Sequence, residues 1–142
     1  MKRNVFGALM TLVVAFAIAT PVVHAQSRIT MSANVPFDFT VNGKALPAGA
    51  YEVREVGDRA TLIETKDGHS KVLGIYQNAE PSKAGQTKLV FHKVGNNYFL
   101  AEIWTSARSQ GSILPTSAAE KETMAANTQS GGGAETVIVA LR

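Results

Sequence analysis

Two histidines, His69 and His92, and four carboxylates set among apolar neighbours, Asp38, Glu52, Glu64 and Glu102, are the residues with the chemistry for proton transfer or metal ligation. A zinc site takes three or four imidazole, thiolate or carboxylate ligands in fixed geometry. The chain has no cysteine, and its two candidate imidazoles have no evident partners. His69 adjoins Asp67-Gly68, a turn signal, where an exposed polar residue is the ordinary expectation. His92 reads as mid-strand opposite Phe99, packed or at a rim rather than a general base. Asp38, Glu52 and Glu64 alternate with apolar residues, which places them on the wet side of strands. Glu102 is different: simple alternation puts it on one face with Leu100 and Trp104, either paired with Lys88 or Lys93 or at a rim where burial raises its pKa. Trp104 and Tyr98 have the shape to stack on a sugar or apolar ligand, packing being the plainer expectation. No Gly-x-Ser-x-Gly elbow, Ser-x-x-Lys set or phosphate-cradling glycine loop occurs. No catalytic, cofactor-binding or metal residue is assigned, and no cofactor is expected.

The elements that carry these residues are strands. From Ile29 every odd position is apolar through Met31, Ala33, Val35, Phe37, Phe39 and Val41, with polar residues or Pro36 between. A period of two over this length means extended backbone with one dry face. Pro36 lacks an N–H for a ladder, so the run is expected to bend there, giving strands at 28–35 and 37–42. Asn42-Gly43 and Leu46-Pro47-Ala48-Gly49 bracket a longish loop into a strand at 50–56. A strand at 59–65 then reaches Asp67-Gly68, whose tight turn calls for positive φ at both central residues, before a strand at 70–77. Residues 78–87 read as a surface loop. Residues 89–94 and 97–105 form a second hairpin turning at Gly95-Asn96, with Phe91 facing Leu100, Leu89 facing Glu102 and His92 facing Phe99. One face would carry Leu89, Phe91, Tyr98, Leu100 and Trp104, the other Val90, Val94, Phe99 and Ile103, so both need cover.

Residues 106–112 read as polar and flexible. Ser117-Ala118-Ala119-Glu120 is a capping-box pattern that opens a helix at about 117–127, thin in apolar residues and therefore weakly docked. A Gly-rich tether at 130–134 precedes a final β-branched strand at 136–141. The expected fold is mainly β: an antiparallel β-sandwich or partly open barrel of about seven or eight strands with one short C-terminal helix. Strand order is not encoded in these patterns.

At the N-terminus Lys2 and Arg3, an apolar stretch and the small residue of Val23-His24-Ala25 make the three parts of a secretory signal peptide at 1–25. An uncleaved anchor is the rival reading, since spanning a bilayer takes roughly 20 apolar residues; Pro21 and Ala25 favour cleavage. The remaining 26–142 would be a single β-rich domain with 12 basic and 11 acidic residues, a balance that argues against nucleic acid as a partner. Without cysteine, stability rests on the core alone even in a compartment that permits disulfides.

Asn34-Val35-Pro36-Phe37-Asp38-Phe39, then Val41, Gly43, Leu46-Pro47-Ala48-Gly49 and Tyr51, resemble a pattern of small exported proteins of environmental bacteria. Leu89-Val90-Phe91, Tyr98-Phe99-Leu100, Trp104 and Leu114-Pro115 are similar to its later parts. The resemblance spans most of residues 33–122, not the tail from Gly131. That family has no assigned activity, so the likeness implies export and a β-rich fold and no functional residues. The expectation is an exported, non-catalytic binding or structural module of the periplasm or cell surface, meeting a protein, a surface or a small ligand. The alternatives are a small-ligand carrier with a barrel pocket and a small carboxylate-dependent hydrolase. Membrane contact would come only through an uncleaved leader. The last strand is expected to complete its own sheet rather than a neighbour's.

Overall fold

The computed structural model describes residues 30–57, 59–81, 87–106 and 110–142; the expected leader lies outside them. The odd-numbered run does what its period dictates. In β1 (Thr30–Val35) Met31, Ala33 and Val35 are buried and the even positions exposed. The chain passes Pro36 and continues as β2 (Phe39–Val41), with Phe39 and Val41 buried. At that bend it changes sheets. β1 joins a four-stranded sheet in the order β1-β4-β5-β6, with β4 Gly49–Glu55, β5 Ala60–Thr65 and β6 Lys71–Ile75. β2 joins the second sheet, where Thr40 lies beside Phe99.

The second sheet runs β11-β8-β9-β10-β7, with β7 Gln77–Pro81, β8 Lys88–Val94, β9 Asn97–Trp104, β10 Gln110–Ile113 and β11 Ala134–Ala140. β2 and its hairpin partner β3 (Lys44–Leu46) flank the start of β9, and β10 flanks its end. The two sheets face each other as a sandwich and no closed barrel forms. Between them lies one cluster that includes Val35, Tyr51, Val53 and Ile63 from the first sheet and Phe39, Val41, Leu46, Leu89, Phe91, Leu100 and Ile103 from the second. Each large aliphatic or aromatic side chain so buried contributes roughly 1.5–3 kcal/mol.

Eleven strands are present among the described residues, more than the seven or eight expected. The surplus comes from short strands in polar stretches: β3 inside the expected loop at 42–49, β7 where a loop was expected at 78–87, and β10 where 106–112 reads as flexible. Their backbone pairing, not apolar alternation, makes them strands. The turns differ too. Asn42 and Gly43 both have positive φ, 49° and 79°, and close a tight β2–β3 hairpin, as a primed two-residue turn requires. At Asp67-Gly68 only Gly68 has positive φ, and its N–H bonds Thr65 O at 2.7 Å. That is a wider loop than the expected primed turn.

Helix α1 (Ala118–Gln129) is capped as its sequence promises, Ser117 Oγ accepting the N–H of Glu120. β11 then pairs with β8 along seven residues, from Ala134↔Val94 to Ala140↔Lys88, so the last strand completes its own sheet. Beyond it Leu141 bonds Thr87 through both backbone and side chain. Arg142 exchanges both backbone bonds with Ser32 of β1, at 2.8 and 2.9 Å. Two residues past its ladder, the chain has crossed to the other sheet.

Candidate functional site

A single extra residue decides where the chemistry-bearing groups of the β8–β9 hairpin go. Phe91 pairs with Leu100 and His92 with Phe99, as expected, but Val90 pairs with Glu102 and Leu89 with Ile103. Ala101 is therefore unpaired in the ladder, a β-bulge that reverses which side every later residue faces. Ile103 joins the core cluster, while Glu102 and Trp104 share the outer face with Val90 and Lys88. The expected grouping of Trp104 and Glu102 with Leu100 is corrected accordingly. Tyr98, ahead of the bulge, stays on the inner side and stacks on Phe37 with centroids 3.9 Å apart. Trp104 and Tyr98 do not share a site.

On the outer face the indole of Trp104 donates Nε1–H to Glu102 Oε2 at 2.7 Å, and Lys88 Nζ sits 5.5 Å from the ring centroid. The ring lies flat on β10, where a Cβ at Gly111 would come within 2.5 Å of indole carbons. Only glycine admits that approach. Glu102 is thus bonded to an indole rather than to the expected lysines; Lys93 instead pairs with Glu135 of β11 at 3.2 Å.

His92, also on the outer face, meets a residue that sequence spacing does not connect to it. Its Nδ1 is 2.8 Å from Glu120 Oε1, and Glu120 is only 4% exposed. This carboxylate–imidazole pair is half of a charge-relay arrangement. No hydroxyl among the described residues takes up the remaining ring nitrogen, and the Ser117 hydroxyl is engaged with the Glu120 amide. The capping-box reading concealed Glu120: its backbone N–H donates to the Ser117 cap, while its side chain leaves the helix for the sheet.

The other candidates are dispersed. His69 is exposed and lies 3.3 Å from Asp67, whose carboxyl is held below its ordinary value first by a hydrogen bond from Thr65 and then by the His69 amide. Glu52 and Glu64 are directly opposed on β4 and β5, and Arg54 pairs with Glu64 at 3.3 Å. Asp38 accepts the Ala48 N–H at 2.7 Å. No group of three or more metal-ligating side chains occurs among the described residues.

The bond from Asp38 explains the most distinctive sequence stretch. Tyr51 donates its hydroxyl to Pro47 O, and its phenol pKa is raised by burial and then by the nearby Asp38 and Asp67 charges. Phe39 meets Tyr51 and Phe91 edge-on at 5.2 and 5.3 Å, and Phe37 meets Phe91 edge-on at 5.1 Å. Asn34 to Phe39 and Leu46 to Tyr51 are therefore two halves of one aromatic joint between the sheets. Searches against family models, curated proteins and solved structures return no match.

The described residues also form concavities. A half-open cleft of about 490 Å³ lies where β11 crosses toward β1, lined by Ser32, Asn34, Tyr51, Lys66, Val139 and Arg142 among others. Its side-chain charges, Lys66 and Arg142, are both positive, and its floor is partly apolar. Among the described residues no helix is long and apolar enough to cross a membrane.

Proposed function

We propose that this chain is an exported, non-catalytic binding module of the periplasm or cell surface. One observation carries the reading: most of the groups that could do acid–base chemistry are engaged by a structural partner, and the described residues bring them to no common point. His92 holds Glu120, Glu102 holds Trp104, Glu64 holds Arg54, and Asp38 holds the Ala48 amide. Catalysis needs a positioned base within reach of a reacting atom, and a scaffold needs its polar groups satisfied. The second description fits these bonds. Export is supported by the basic, apolar and small-residue segments of the first 25 residues.

Binding would use the cleft beside β1, where Lys66 and Arg142 bring two cationic side chains to a concave surface. The test is a hydrolase panel run beside a ligand screen on the purified protein. Binding without turnover, weakened at least tenfold by Lys66→Ala with Arg142→Ala, is the expected result. Turnover that is lost on substituting Glu102 and His92 would overturn it.

A further inference from the structure

We propose that helix α1 is a detachable cover on the outer face of the second sheet, latched by the Glu120–His92 contact and released by acid. The helix has almost nothing apolar with which to hold on. Glu120 is its one buried residue, and most of its remaining side chains are exposed. A buried carboxylate is unfavourable unless paired, and loss of its partner leaves a charge that returns to water. The contact that docks the helix is therefore also the contact whose loss undocks it.

The helix lies along the outer side of β8, Glu120 at His92 and Asn127 beside Gly95; on this sheet Val90, Val94, Phe99 and Ala101 are buried yet lie outside the cluster between the sheets. Val90, Val94 and Phe99 share the outer face with His92, and Ile138, the β11 partner of Val90, is 60% exposed at its side. The helix is hung between Pro115–Ser117 and Gly131–Gly133, and its neighbours β10 and β11 keep their own ladders. It can lift without unzipping either sheet.

The groups that face the latch are few. Across from His92 lie Phe99 on β9 and Thr136 on β11, neither of which ionises in this range. Lys93 and Glu135 pair with each other on the next ladder positions, and Lys121 and Glu122 of the helix are exposed. With Glu120 ionised, Nδ1–H donates to it whether the ring is neutral or cationic. A proton on the carboxylate removes the charge that the imidazolium holds.

Hydrogen exchange of the purified protein, corrected for intrinsic rates, tests this. Peptides over 118–129 should be protected at neutral pH and lose at least tenfold protection in acid while 60–65 and 71–75 hold. Glu120→Ala and His92→Ala should each produce that loss at neutral pH, the double variant no more than either single one, and Glu120→Gln should abolish the acid response. NMR should show a proton on His92 Nδ1 at neutral pH. Unchanged helix protection in the single variants, an acid response retained in Glu120→Gln, or equal loss in the strands would overturn the proposal.

Discussion

At the scale of single residues, two buried groups make opposite statements about stability. Tyr51 is buried with its hydroxyl bonded to Pro47, and its phenol pKa is raised above the ordinary 10.0, first by burial. An acid raised on folding is neutral in the native chain where the unfolded chain has begun to ionise. Its contribution is complete below pH 10 and declines as pH climbs through the folded value. Urea midpoints should therefore fall steeply above pH 10, and Tyr51→Phe should flatten that alkaline limb while lowering the neutral midpoint. Thr61 is the reverse case. It is 1% exposed, and its hydroxyl has no hydrogen-bond partner among the described residues. A desolvated, unpaired hydroxyl is a standing penalty. Thr61→Val keeps the shape and deletes it, so chemical denaturation should show a gain of about 1 kcal/mol.

Elements explain why the first sheet does not grow at its open side. The edge of β6 carries exposed Leu73 and Ile75, the kind of strand that recruits other chains. Its outward carbonyls are occupied from the facing hairpin: Asn42 Nδ2 bonds Leu73 O at 3.2 Å and Lys44 Nζ bonds Lys71 O at 2.8 Å. Asn42→Ala should destabilise by about 1–2 kcal/mol through its left-handed backbone, whereas Asn42→Gly relieves that strain and removes only the bond. Asn42→Gly with Lys44→Ala should keep the fold and raise concentration-dependent association, followed by light scattering. These elements also mark what the sequence could say. The dry face of β1 was legible because Met31, Ala33 and Val35 alternate with polar residues, so only one phase buries them. β9 is apolar on both faces, so alternation fits with or without the Ala101 bulge, and the sides of Glu102 and Trp104 could not be read. Glu120 looked like a capping residue because its partner lies 28 positions away, and the short polar strands β3, β7 and β10 exist only through partners supplied by other segments.

For the whole molecule the decisive strand is the last. β11 covers the open edge of β8 along seven residues, and Val137, Val139 and Leu141 pack on the core. Domain stabilities are about 5–15 kcal/mol, and burying side chains of this size is worth roughly 1.5–3 kcal/mol each when complete. Truncation before residue 134 should therefore abolish cooperative unfolding by near-ultraviolet circular dichroism. An intact fold after truncation would show that the strand is dispensable.

Arg142 and Ser32 meet across 110 positions of chain, and long-range closure of this kind is entropically slow. A ribosome that has delivered everything up to β10 has thus made a polypeptide in which the open edge of β8 and the outward backbone of Ser32 still wait for the partners that the last strand brings.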